Sequence, residues 1–186
     1  MRYLLAPCLF LGTLLIGCRT SEVPAKPPLR VLVLDGQSNH DWELTTRSTR
    51  ATLEACGRFE VEVATSPSDR GDAAAWEAWS PVFQDYDVVL SNFNDGGSCL
   101  WSESTKASLI DFVEGGGGFV VVHAANNSSG DWDDYNRLIG MGGWGGRTPG
   151  HGCHMRLLDE AWVKDDAPDG LSGSHGAQHP FVIERW

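Results

Sequence analysis

The chain is poor in basic residues. It has 14 lysines and arginines against 25 aspartates and glutamates, which gives a formal net charge of −11 at pH 7. Proteins that bind nucleic acid depend on clustered lysine and arginine, so this charge balance argues against a nucleic-acid partner. An acidic chain of this kind favours solubility and neutral or cationic partners.

Long apolar segments are equally scarce, and the one that exists stands at the N-terminus. It covers residues 3–16, and Arg2 is the only charge before residue 19. A membrane-spanning helix needs roughly 20 apolar residues, so this segment is too short to be one. Its layout is typical of a signal peptide. No second apolar span and no internal repeat follow, so we expect one folded domain.

The apolar segment ends in LIGC at positions 15–18, which resembles the lipobox of bacterial lipoproteins. The resemblance implies a lipid on the Cys18 thiol and a location in the cell envelope, on the periplasmic or surface side of a membrane. An ordinary signal peptide with an incidental cysteine is the alternative. We predict a signal peptide at 1–17, a lipidated cysteine and proline-containing tether at 18–28, and a domain at 29–186.

Cysteine is too rare in the predicted domain to build a disulfide framework. Only Cys56, Cys99 and Cys153 remain there, and an odd number on an exported chain leaves at least one thiol unpaired. We expect Cys56 to be a buried structural thiol. A disulfide between Cys99 and Cys153 is an open alternative.

Short apolar runs are present, and three of them do not alternate with polar residues. They cover 31–34, 88–90 and 119–122, and this pattern is typical of central strands buried on both faces of a parallel sheet. The run 59–63 alternates, so we expect that strand nearer an edge. With helices between the strands, the sequence predicts an α/β, three-layer sandwich with a mainly parallel central sheet.

Two of the connecting helices have a predictable orientation. Gly57 can end the first helix, and Ser102 can cap the start of the second. We expect one apolar stripe of each helix to face the sheet. The stripe residues are Leu44, Ala51 and Ala55 in the first helix and Ala107, Ile110 and Val113 in the second.

Polar segments follow three of the predicted strands, at 35–42, 91–97 and 123–127. The carboxyl ends of parallel strands meet at one edge of a sheet, where ligands bind in open α/β folds. We therefore expect a small-molecule pocket there. Asn, Asp and Gly also form turns for backbone reasons, but a turn has no need of imidazole. His40 and His123 are consequently the first candidates for site residues.

Four motifs, GQSNHDW, SNFNDGG, GGGFVVVHAANN and DWDDYNRLIG, occur in this order, and together they resemble those of the ThuA-like (trehalose utilisation) family. The resemblance covers residues 29–186. It implies a flavodoxin-like sandwich related to the class I glutamine amidotransferases, and a link to disaccharide utilisation. Domains of the family usually continue beyond the point where this chain stops, so we expect the domain to be C-terminally incomplete.

The resemblance also implies individual site residues. Catalytic roles fall on His40, Asp41 and His123, with the Asp41 carboxylate orienting an imidazole. The implied substrate-binding residues are Asn92, Asn94, Asn126, Trp132, Tyr135, Asn136 and His179. Two histidines with a carboxylate can bind a divalent metal, so a metal site is an open alternative.

An amidotransferase mechanism is not expected, although the fold is related. Those enzymes carry a nucleophilic cysteine at a strand–helix elbow, whereas the corresponding strand here ends in His123 without a cysteine nearby in the sequence. Three functions remain open, and the weakest of them is a structural envelope protein whose pocket is vestigial. The other two involve a carbohydrate. One is a carbohydrate-active hydrolase or lyase, acting on a disaccharide or keto-sugar, in which His40 and His123 share acid–base work. The other is a non-catalytic carbohydrate-binding surface module, which product formation would distinguish from an enzyme.

Overall fold

The computed structural model describes residues 26–140, 142 and 154–165. Strands and helices alternate along most of this length. The strands are β1 (Leu29–Asp35), β2 (Phe59–Thr65), β3 (Val88–Ser91) and β4 (Gly118–Val121), and the helices are α1 (Trp42–Ala55), α2 (Ala73–Ala78), α3 (Glu103–Glu114) and α4 (Asp133–Ile139). Short 3-10 helices form at Phe83–Asp85 and His123–Asn127, and β5 (His154–Leu158) pairs with β6 (Ala161–Asp165) as an antiparallel hairpin.

The four main strands form one parallel sheet in the order β2-β1-β3-β4. Helices flank this sheet, so the predicted α/β fold of the flavodoxin-like, three-layer type is confirmed. The position of β2 at an edge is confirmed as well. The expectation that β4 is central is wrong for the described residues, because among them β4 pairs only with β3 and Val120 is 45% exposed.

The core lies on both faces of the sheet because successive side chains of a strand point to opposite sides. On one face Val31 and Val33 of β1 pack with Leu53 of α1. On the other, Leu32 and Leu34 join the aromatic and aliphatic side chains of α2, α3 and α4. Each such burial stabilises the fold by about 1.5–3 kcal/mol. None of the helices in the described ranges is long and apolar enough to cross a membrane.

The helix ends follow the sequence, whereas the predicted stripe of α1 is wrong and the predicted stripe of α3 is correct only in part. Gly57 adopts a φ of 66° after α1, and the Ser102 side chain caps α3. In α1, Leu44 is 52% exposed and Thr46 is buried instead. The buried residues of α3 are Thr105, Leu109 and Phe112, and Ala107 is exposed. Ile110 and Val113 of the predicted stripe are half-buried and pack against the core, while Leu109 and Phe112 are buried more deeply.

The burial of Cys56 also differs from the expectation. Cys56 is exposed rather than buried, because it is the C-cap residue of α1, and its Sγ donates to the carbonyl of Leu53 at 3.1 Å. Cys99 is half-buried and free, and burial raises the pKa of its thiol. Cys153 lies outside the described residues.

Candidate functional site

The carboxyl ends of β1 and β3 bring their polar loops together, as the sequence predicted. The amide of Asn92 donates to the carbonyl of Leu34, and the amide of Asn94 donates to the carbonyl of Gln37, both at 2.9 Å. These bonds extend the pairing of the two strands into the loops. As a result, the segment after β1 is held against the segment after β3.

Glycine is required where the loop after β1 passes the loop after β2. Gly36 has a φ of 107°, and a Cβ there would lie 2.6 Å from Oγ and 2.7 Å from the backbone nitrogen of Ser66. No other residue fits this approach without moving backbone. The side chain of Gln37 then anchors the loop by donating to the carbonyl of Pro67 at 2.7 Å.

The two candidate histidines meet at this edge although 83 positions separate them. Nε2 of His40 lies 3.2 Å from Nε2 of His123, and the ring centroids are 4.6 Å apart at an interplanar angle of 51°. Both residues are exposed. A hydrogen bond between two imidazoles requires that one nitrogen donates and the other accepts. The pair therefore presents a proton donor and a proton acceptor to solvent.

His123 stands at a sharp elbow between β4 and the following 3-10 helix. Its φ is 46°, in the left-handed region that residues other than glycine rarely adopt. Such strain costs on the order of 1–3 kcal/mol and persists where surrounding structure enforces it, often at functional sites. Here the amide of Val122 is held by the carbonyl of Ser91, and the amide of Ala125 by the carbonyl of Val122.

The side chains of Asn92 and Asn94, which follow β3, are buried and form hydrogen bonds with other groups of the protein. Asn92 Nδ2 donates to the carbonyl of Trp42 at 3.0 Å and to Oγ1 of Thr46 at 3.1 Å, which ties β3 to the start of α1. Asn94 donates from Nδ2 to Oδ1 of Asn39 at 2.9 Å, beside His40. Direct substrate contact by Asn92 or Asn94 stays a prediction, whereas these bonds are present in the structure.

Asp41 serves the helix in this structure. Its carboxylate accepts from the amide of Leu44 at 2.9 Å and so caps the N-terminus of α1, a role that acidic side chains fulfil well. Asn126 lies half-buried in the 3-10 helix that begins at His123. Their catalytic and binding roles stay predictions.

The residues from the fourth motif lie in the core instead of on a surface. Trp132 and Tyr135 are 8% and 2% exposed, with ring centroids 5.7 Å apart. The Tyr135 hydroxyl donates to the carbonyl of Ala125 at 2.8 Å, and burial raises its pKa well above the usual range. Asn136 Nδ2 donates to the carbonyl of Gly130 at 3.1 Å. These contacts support the segment that follows His123, while His179 lies outside the described residues.

Asp95 is a site-edge residue whose role the sequence did not single out. It is completely buried, and Oδ1 accepts from the amides of Ser129 at 2.7 Å and Gly97 at 3.0 Å. Its Oδ2 accepts from the Ser129 hydroxyl at 2.8 Å. The carboxylate thus joins the loop after β3 to the loop after β4. An aspartate two positions before a glycine is an ordinary turn signal, which hides a long-range role of this kind.

No three His, Cys, Asp or Glu side chains gather as metal ligands within residues 26–140, 142 and 154–165. The polar side chains that meet at this edge of the sheet are the two imidazoles and the amides of Asn39 and Asn94. An exposed, hydrogen-bonded imidazole pair at the carboxyl edge of a parallel sheet suits proton transfer to and from a small molecule.

A solved structure of a similar protein agrees with this architecture. Among solved structures, a ThuA-like protein from Parabacteroides merdae ATCC 43184 has 35% sequence identity and a TM-score of 0.72, over 82% of this chain and 52% of that chain. A ThuA-like protein from Bacteroides uniformis ATCC 8492 has 18% identity and a TM-score of 0.42, over 62% of this chain and 45% of that chain. The chain thus spans about half the length of these solved relatives.

No match is found among curated proteins. The family described as trehalose utilisation, ThuA, matches residues 30–180, which is most of the chain. The 35% identity with the Parabacteroides protein extends over a similar share of the sequence. Family match, structural likeness and the four sequence motifs agree, and the chain belongs to the ThuA (trehalose utilisation) family.

Proposed function

We propose that this chain is an exported lipoprotein whose ThuA domain acts on a disaccharide or keto-sugar by acid–base chemistry of His40 and His123. The observation that carries the proposal is the 3.2 Å contact between the two Nε2 atoms at the carboxyl edge of the sheet. Membership of a family described as trehalose utilisation supports a sugar as the small molecule.

An imidazole pair suits elimination chemistry on a keto-sugar. Imidazole is the side chain most often used as a general acid or base, so one ring can accept a proton while the other gives one. In a lyase reaction, the neutral imidazole takes the acidic proton beside the carbonyl, the bond to the leaving oxygen breaks, and the protonated ring supplies a proton to that oxygen. Direct glycoside hydrolysis is the weaker choice, since it calls for two facing carboxylates, and Asp41 and Asp95 are engaged in structural bonds.

Export and anchoring are proposed from the N-terminal sequence alone. The LIGC motif ending at Cys18 and the three prolines between residues 24 and 28 fit a lipid-attached domain on a short tether. Cells that express the full chain and are fed radioactive palmitate should label it, and Cys18→Ser should remove the label while Cys56→Ser retains it. Equal labelling of the wild type and Cys18→Ser would contradict the anchor.

The sugar proposal is tested by ligand screening of the purified protein. A panel of disaccharides and their keto derivatives is added, and the melting temperature and the chemical identity of each sugar are followed in parallel. A ligand that binds the folded state must raise its melting temperature. We expect at least one sugar to stabilise the protein and to be converted to a new product.

Each other result of the screen excludes part of the proposal. A saturable shift with unchanged sugar would contradict turnover and indicate a carbohydrate-binding module. An absence of any shift or product would contradict the sugar itself. Cys56→Ser is the matched control, because Cys56 follows the last turn of α1, at the opposite end from His40, and the substitution should leave both readouts unchanged.

A further inference from the structure

We propose that Asn94 and Asn39 act as positioning residues that determine which nitrogen of each histidine carries the proton. In this arrangement Nε2 of His40 is unprotonated, and Nε2 of His123 carries a proton. The catalytic meaning of the inference rests on the proposed function, whereas the proton positions follow from hydrogen bonds in the described residues. The chain of contacts runs from the buried Asn94 through Asn39 to the exposed histidine pair.

The backbone N–H of Gly96 can only donate, and it fixes the orientation of the Asn94 side chain. The backbone amide of Gly96 donates to a side-chain atom of Asn94 at 2.8 Å, so that atom must be the oxygen Oδ1. The side chain of Asn94 is 7% exposed and cannot turn over without placing its NH₂ group against this N–H. Its Nδ2 therefore points at Asn39, and the Asn39 atom 2.9 Å away must be Oδ1.

The orientation of Asn39 then constrains His40. With Oδ1 occupied by Asn94, the Nδ2 of Asn39 faces Nε2 of His40 at 3.5 Å. This contact is long, but an N–H on the histidine nitrogen would meet the NH₂ group as donor against donor. A lone pair on His40 Nε2 is favoured instead, which places the proton of the neutral ring on Nδ1.

His123 must supply the proton that the pair shares. Its Nε2 lies 3.2 Å from the same His40 nitrogen, so a bare His40 Nε2 requires an N–H on His123. A further proton on the pair then goes to Nδ1 of His123, because His40 Nε2 already faces two donors. Toward a ligand, Nδ1 of His123 is therefore the proton acceptor of the neutral pair, and the N–H on Nδ1 of His40 is its proton donor.

The test measures proton positions directly by ¹⁵N NMR of the histidine rings in the full chain. Spectra are recorded at a pH where both rings are neutral, and the rings are assigned with His40→Gln and His123→Gln. We expect a pyridine-type shift for Nε2 of His40 and a pyrrole-type shift for Nε2 of His123. The reverse pattern in the wild-type protein would overturn the inference.

A single substitution at the exposed residue Asn39 should move the proton of the His40 ring from Nδ1 to Nε2. In Asn39→Asp one carboxylate oxygen still accepts from Asn94, but the other faces His40 and requires an N–H, so Nε2 of His40 should become pyrrole-type. Asn39→Ala removes the donor without adding charge, and it should move His40 only part of the way. The backbone amide spectrum verifies that each variant is folded.

These outcomes are separate from the fate of the proposed function. An unchanged His40 shift in both Asn39 variants would exclude a positioning role for Asn39, even if the protein turns over a sugar. Conversely, the absence of any sugar substrate would overturn the proposed function and leave the measured proton positions intact. The spectroscopic readout also distinguishes positioning from a merely structural role, which would not move a proton between ring nitrogens.

Discussion

Replacing His123 with glycine is expected to stop turnover while making the protein more stable. The imidazole is one half of the proposed acid–base pair, and losing such a group lowers rates by about 10²–10⁴-fold. At the same time the φ of 46° at this position is strained for histidine, by roughly 1–2 kcal/mol, and free of that strain for glycine. Glycine loses more chain entropy on folding, so we expect a net gain of about 1 kcal/mol.

Two measurements separate the chemical effect from the conformational one. The free energy of unfolding is obtained from urea titrations, and the rate is measured on the sugar identified in the screen. His123→Gln is the matched control, because it removes the imidazole and keeps the strained backbone. It should be as inactive as the glycine variant and as stable as the wild type. Retained turnover in His123→Gln would contradict the proposed function. Equal free energies of unfolding of the two variants would exclude backbone strain at His123.

The sheet was predictable because its strands have an unambiguous pattern. The run 31–34 is apolar throughout, which is typical of a strand covered on both faces, and β1 lies between β2 and β3. The alternating run 59–63 forms the edge strand β2. Local hydrophobicity is sufficient here because burial on one or two faces is a property of the strand itself.

Predictions failed where the sequence offered two equivalent choices. The predicted stripe of α3 includes Ile110 and Val113, which pack against the core, but it misses Leu109 and Phe112, which have the same helical spacing and are buried more deeply. Val120 is apolar and yet exposed within the described part. The apolar composition of the run 119–122 does not indicate how many strands pair with β4, so the prediction of a central strand failed. Such questions are decided by tertiary contacts, which no local pattern contains.

The site was predictable in outline but not in geometry. Parallel strands place the ends of β1 and β4 at one edge, which is why His40 and His123 were candidates. Their 3.2 Å contact depends on the elbow at His123 and on loop bonds that no spacing rule describes. The side chains of Trp132 and Tyr135 lie in the core, which no motif indicates, and their predicted contact with a substrate stays a prediction. A motif marks residues that a family shares, and supporting residues are shared as readily as contacting ones.

The structure reveals contacts of Asp95 that the sequence did not indicate. Removing its carboxylate should lower the free energy of unfolding more than a change at any exposed residue of the site. Asp95→Ala leaves the two buried donors of Ser129 and the half-buried amide of Gly97 without an acceptor. Each unsatisfied buried donor costs about 1–3 kcal/mol, and partial relaxation of the loops should reduce the total to about 3–5 kcal/mol.

Asp95→Asn is the matched control for this prediction. Its Oδ1 still accepts from the amides of Ser129 and Gly97, and the Ser129 hydroxyl can turn to accept from Nδ2, so the loss should be only about 1 kcal/mol. Urea unfolding of both variants measures the difference, with unchanged dependence on urea concentration as evidence for comparable unfolding. Equal losses in the two variants would mean that negative charge, rather than hydrogen-bond acceptance, is what the loops require. A loss below 1 kcal/mol in Asp95→Ala would mean that Asp95 does not hold the two loops together, and the elbow at His123 would then be enforced by β4 and its 3-10 helix alone.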